Sequence, residues 1–153
     1  MRSATERDLP RLAALDCAAY GAEAYGYPVL RQLLDVHGGG LLVLDGGTES
    51  NGLAGYVLIA NAARSWESWL LSLVVDKRYQ GCGHGRRLLS EAVRLAERSG
   101  VSEIRGSVEP GNRAAVGLLR SLDFVVEADV ADYSGPGEHR LVMCRSISRY
   151  PMR

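Results

Sequence analysis

The chain has 153 residues, 46% apolar and 24% charged, with 18 basic side chains balanced by 18 acidic ones. This fits one globular domain with a real core; it excludes the basic footprint of a nucleic-acid binder and any apolar run long enough to span a bilayer. The N-terminal MRSATERDLP lacks the apolar segment of a signal peptide, and Cys17, Cys82 and Cys144 have no zinc or disulfide spacing, so a cytoplasmic protein with no nucleic-acid or membrane partner is expected.

A short extended start, Met1 to Ala4, leads to a helix capped by Thr5 or Asp8. Its apolar face is Leu9, Leu12, Ala13 and Leu15, and it runs to about Ala19. The Tyr/Gly-rich joint AAYGAEAYGYP separates it from a second helix, Pro28 to about Val36, which Gly38-Gly39-Gly40 stops. Leu41 to Leu44 reads as a buried strand, and GGTESNG turns the chain into a strand from Leu53 to about Ala60. Glu67 to Val75 is a third long strand. A glycine loop, Gln80 to Gly85, opens a helix whose stripe is Leu88, Leu89, Ala92, Val93, Leu95 and Ala96; Gly100 ends it. Val101 to Val108 is a strand, and Asn112 caps a helix through about Leu122. Two strands close the chain, near Phe124 to Tyr133 and Arg140 to Ile147, around the turn SGPGE. The order β-α-α-β-β-β-α-β-α-β-β predicts a mixed α/β (α+β) sheet with helices packed on it.

The glycine loop carries the chemistry. The start of a helix leaves N–H groups unpaired beneath a partial positive charge, and glycine lets an anion approach the backbone closely. A flexible turn is the bland alternative, but turns rarely need three glycines ahead of a strongly amphipathic helix. A Walker A loop requires Lys and Ser/Thr after its last glycine, and neither follows Gly85. A dinucleotide fingerprint requires GxGxxG, but Arg86 occupies its third glycine position, and Glu103 begins its strand instead of ending it.

Gln80, Gly83 and Gly85 satisfy Q/R-x-x-G-x-G/A, and SLVVDKRYQGCGHGRRLL around them resembles the central strand, loop and helix of the GNAT superfamily of N-acetyltransferases. PGNRAAVGLLRSLDFVVE resembles the family's second motif. Tyr133 and GPGEHRLVM are similar to the final hairpin of its ribosomal-protein N-terminal (alanine) acetyltransferase subgroup. The resemblance implies a single N-acetyltransferase domain over 1–147, with a short tail at 148–153. It also implies a central sheet of about seven strands, splayed in the middle, with about four helices.

The resemblance further implies acetyl-CoA as cosubstrate and no metal. The pantetheine arm would lie along the backbone of Leu73, Val74 and Val75, with a backbone N–H, that of Val74 by preference, facing the thioester oxygen. Gln80, Gly81, Cys82, Gly83, His84, Gly85 and Arg86 would hold the pyrophosphate, and Asn112 would reach the arm unless it serves only as a helix cap. Cys82 stands where the family often has a basic residue, and Asp123 where a glycine is usual. Leu119 replaces the family's Tyr general acid, for which Tyr133 is the substitute candidate. Ser107 replaces the subgroup's acidic residue, which leaves Glu109, on the same strand face, as candidate base.

Tyr20, Glu23, Tyr25 and Tyr27 in the helix joint, with Tyr133 in the last hairpin, are the expected acceptor-binding residues, an aromatic and acidic mouth suited to a cationic amine. An α-amine, with a pKa of about 7.7–8.0 against about 10.4 for lysine, suits a site with a weak base. The acceptor is then a peptide N-terminus or a small-molecule amine, attacking the thioester directly in a ternary complex formed by a monomer or homodimer. The alternative is a non-catalytic acyl-CoA-binding or regulatory domain that has lost its acid.

Overall fold

The computed structural model describes residues 1–47 and 52–147. The tip of the turn at 46–52 and the tail at 148–153 lie outside the described residues. Among those described, seven strands and four α-helices follow the predicted order. The strands are β1 (Arg2–Ser3), β2 (Leu41–Asp45), β3 (Leu53–Asn61), β4 (Glu67–Val75), β5 (Glu103–Val108), β6 (Val125–Val130) and β7 (Arg140–Ser146). The helices are α1 (Leu9–Tyr20), α2 (Tyr27–His37), α3 (His84–Arg98) and α4 (Arg113–Arg120). The strands form one sheet, mixed as the sequence predicts, in the order β1-β2-β3-β4-β5-β7-β6. None of the described helices is long and apolar enough to cross a membrane.

The chain divides into two compact units, one of 1–59 with 72–92 and the other of 60–71 with 93–153. In the first, Thr5 and Asp8 reciprocally cap a single 3-10 turn that leads into α1, with Thr5 N–H donating to the Asp8 carboxylate at 2.8 Å. Pro10 and Pro28 sit in the first turns of α1 and α2, where their missing N–H groups are not needed. Leu9, Leu12 and Leu15 from α1 and Leu30 from α2 bury against Leu41, Val43, Tyr56, Leu58 and Val74. Each buried leucine contributes about 1.5–3 kcal/mol. β2 runs antiparallel to β3 with Leu41 opposite Leu58. From Leu53 to Ala60 every β3 residue is buried, so the strand reads as a continuous apolar run rather than an alternation. At the head of β2, a Cβ added to Gly40 would lie 1.8 Å from the Ile59 carbonyl oxygen.

In the second unit, β4 runs parallel to β5 from Glu67 opposite Glu103 to Leu70 opposite Gly106. β7 pairs antiparallel with both β5 and β6. Ile104, Val108, Val116, Leu119, Phe124, Val142 and Met143 are buried here. β6 stops at Val130, so Tyr133 falls in the following turn rather than in the strand predicted to reach it. There Asp132 accepts from Gly137 N–H at 2.6 Å.

Within α4, Gly117 is exposed and a Cβ would meet nothing within 4 Å. Alanine there removes backbone entropy from the unfolded chain. Gly117→Ala is therefore expected to stabilise the protein by about 0.5–1 kcal/mol, seen as a rise in the urea midpoint.

Candidate active site

β4 ends at Val75, and Asp76 then organises the approach to the glycine loop. Its carboxylate accepts from Arg78 N–H at 2.9 Å and from the Arg78 guanidinium, and pairs with Arg11. The Arg78 contacts, with Arg11 behind them, hold the Asp76 carboxyl below the ordinary carboxylate range. Tyr79 donates to Gly46 O at 2.6 Å, and its ring meets His84 edge to face. Gln80 turns back, its side-chain amide donating to Val75 O at 3.2 Å.

Gly81 and Gly83 both take left-handed backbone conformations, φ 77° and 80°, with open space where a Cβ would stand. L side chains resist that conformation. Gly83 O accepts the first bond of the helix, from Arg87 N–H at 3.1 Å. The amides of His84 and Gly85 therefore come before the first helical donor, in the turn that an α-helix leaves open to an anion. Cys82 is exposed, with its sulfur 3.8 Å from Gln80 O, and Arg86 is exposed on the first turn of α3. The loop has the form a diphosphate needs: bare backbone at Gly81 and Gly83, and a helix start.

The strand ahead of the loop shifts one expectation. Asp76 N–H donates to Ala54 O on β3 at 2.8 Å. The two-residue period of a strand turns the N–H of Val74 the same way, and the Val74 side chain is buried in the core. The groups turned away from β3 belong to Leu73 and Val75. Their carbonyls accept from the Tyr20 hydroxyl at 3.1 Å and from Gln80. A donor for a thioester oxygen is thus better sought at Leu73 or Val75 than at Val74.

The helix joint belongs to the same unit. Tyr20 ends α1, Glu23 closes a 3-10 turn, Tyr25 is half-buried and Tyr27 opens α2; Tyr20 and Tyr27 are 42% and 47% exposed. Beneath them lies Asp16, fully buried, a residue that the sequence reading did not single out. Its carboxylate accepts from Tyr25 N–H and from the Tyr56 hydroxyl, and Tyr56 is 2.8 Å from Ser72 Oγ. Burial, then the hydrogen bond to Asp16, pushes the Tyr56 phenol far up; burial, with the Asp16 charge behind it, also raises Tyr20 and Tyr25.

The other expected residues stand in the second unit. Glu109 is an exposed carboxylate just past β5, and its backbone carbonyl accepts from Asn112 N–H. The Asn112 side-chain oxygen caps α4, accepting from Ala115 N–H at 3.1 Å, so the capping role is filled and only its amide NH2 remains for a ligand. Leu119 is buried and offers no acid. Asp123 adopts φ 64°, the left-handed conformation in which the family's usual glycine would be at ease. Tyr133 is 43% exposed. Among the described residues, no group of three or more His, Cys, Asp or Glu side chains is placed to hold a metal ion.

The family model for the acetyltransferase (GNAT) family matches residues 7–124. No curated protein matches the chain significantly. Among solved structures, Ard1 from Thermoplasma volcanium superposes with a TM-score of 0.84 at 19% identity, with 97% of each chain covered. The ribosomal-protein-alanine N-acetyltransferase of Brucella melitensis gives 0.78 at 25% identity, over 95% of this chain and 98% of that one. The ribosomal-protein-S18-alanine N-acetyltransferase of Escherichia coli gives 0.77 at 23% identity, over 99% and 95%.

Proposed function

The chain belongs to the GNAT acetyltransferase family, and from that premise we propose that it is a cytoplasmic, acetyl-CoA-dependent N-acetyltransferase whose acceptor is the α-amine of a peptide. Residues 1–147 act as one catalytic domain in this reading. The observation that carries it is the backbone of Gly81 and Gly83, left-handed and open, immediately before the first turn of α3. Gln80–Arg86 hold the diphosphate of acetyl-CoA there, and its arm follows the outward groups of Leu73 and Val75. The amide of one of these polarises the thioester carbonyl. Orientation and backbone donors supply much of the rate.

The choice of an α-amine is supported by the joint, where Tyr20, Tyr25 and Tyr27 flank Glu23 along the chain, and by the Brucella melitensis neighbour. Tyr133 is assigned to acceptor binding, because an exposed phenol in a turn suits a peptide contact. The comparisons lend the non-catalytic alternative no support. Calorimetry tests the reading: acetyl-CoA should bind, and an alanine-initiated peptide should then release free coenzyme A thiol. No heat of binding, or binding without turnover on any amine, overturns it.

Glu109 is the second unit's candidate base. A carboxylate so exposed keeps its water shell. Glu109→Gln is accordingly expected to lower kcat by less than about fivefold, well under the 10²–10⁴-fold typical of general acid–base groups. A loss of about 10²-fold would make Glu109 the base.

A further inference from the structure

The two outward carbonyls at the end of β4 are both already taken. The ladder between β4 and β5 stops at Leu70 opposite Gly106, and beyond it the β3 side fixes the phase of the strand. Asp76 N–H donates to Ala54 O, and a Cβ added to Gly55 would lie 2.4 Å from Val74 O. Leu73 and Val75 therefore turn their C=O and N–H groups to the opposite edge, as a strand does towards a partner. Each of these carbonyls accepts from a side chain: Leu73 O from the Tyr20 hydroxyl at 3.1 Å, and Val75 O from the Gln80 amide at 3.2 Å. The N–H nitrogen of a pairing strand would stand about 2.9–3.0 Å from such an oxygen. The two side chains thus take up the bonds that a pairing strand's donors would make.

We propose that the Tyr20 hydroxyl is a placeholder for an amide N–H of the acetyl-CoA arm, and that cofactor binding releases it to the acceptor. The proposal rests on the acetyltransferase reading above. Without cofactor, the hydroxyl closes the Leu73 carbonyl and is held there. The amide of the arm displaces it, and Gln80 gives up Val75 O in the same way. The backbone of Tyr20 closes α1, whose Leu12, Leu15 and Asp16 are buried, and Asp16 fixes the joint by accepting from Tyr25 N–H. The phenol itself is 42% exposed, so it leaves Leu73 by rotating about its side-chain bonds while the joint stays in place. Once released, it has one O–H to donate and lone pairs to accept with, and it binds the peptide group next to the acceptor amine. Cofactor and acceptor then favour each other's binding, and the coupling is reciprocal. Its size is that of one neutral hydrogen bond exchanged for water, about 2–10-fold in affinity.

Titration calorimetry with coenzyme A, which carries the same arm, and an alanine-initiated peptide tests this without turnover. Wild type saturated with coenzyme A should bind the peptide about 2–10-fold more tightly than free wild type does. Tyr20→Phe keeps the ring and removes the hydroxyl. With no donor to displace, it should bind coenzyme A about 2–10-fold more tightly than wild type, and its peptide affinity should be the same with and without coenzyme A. A tyrosine that only packs the joint would not raise cofactor affinity on losing its hydroxyl. Coenzyme A affinity in Tyr20→Phe equal to or below that of wild type overturns the placeholder and leaves the acetyltransferase reading intact. So does a wild-type peptide affinity indifferent to coenzyme A, a result that needs no variant. Wild type that binds neither coenzyme A nor acetyl-CoA overturns both.

Discussion

The double substitution Gly81→Ala, Gly83→Ala is expected to weaken acetyl-CoA binding at least about 30-fold while the protein stays folded. Both residues hold φ near 80° with nothing within 4 Å of a Cβ, so no steric clash arises. The effect is conformational. A non-glycine residue loses about 1–2 kcal/mol in the left-handed region, and an exposed loop relieves that strain by leaving the conformation. Binding must then restore it at both positions, a penalty of about 2–4 kcal/mol where each 1.4 kcal/mol is tenfold. Gly39→Ala, also with nothing within 4 Å and without a positive φ, is the control and should bind normally. Titration calorimetry on the three proteins decides it. Unchanged affinity in the double variant would place the diphosphate elsewhere.

The next residue along separates folding from binding. Gly40→Ala is expected to destabilise the protein by about 3 kcal/mol or more, since its Cβ would stand 1.8 Å from the Ile59 oxygen and 3.0 Å from the Ile59 carbonyl carbon. The obstacle is main chain within a fully buried strand, and it cannot rotate aside as a side chain would. β2 would have to retreat from β3 where Leu41 faces Leu58. For a chain of this length the melting temperature should fall by roughly 6–12 °C, with Gly39→Ala within a degree or two of wild type. Equal melting temperatures for the two variants would show that β2 moves away without cost.

Periodicity reveals most of this architecture because its elements are strongly patterned. The stripe from Leu88 to Ala96 repeats at helical spacing, and the run from Leu53 to Ala60, short and preceded by turn residues, reads as a strand. Tyr133 was harder to place because Asp132 and Gly137 end the ladder early through a side chain-to-backbone bond, which has no period. The choice among Leu73, Val74 and Val75 is a matter of phase: one residue along a strand reverses the direction of its N–H, and no pattern in LLSLVV sets that phase. The Asp16–Tyr56–Ser72 chain was hidden because its members lie on three separate elements. A signal was present nonetheless. Each is a polar interruption of an apolar stretch, in ALDCA, AGYVL and LLSLV, and polar groups tolerated in a core must find one another.

The complete burial of β3 from Leu53 to Ala60 has a further consequence. A strand roofed on both faces, with neighbours along both edges, has no local opening that would admit solvent to its amides. Deuterium should therefore enter this segment only when the whole molecule unravels, and the slowest-labelling peptides in a mass-spectrometric time course should map here. Their exchange rate would then serve as a direct gauge of global stability, readable without denaturant.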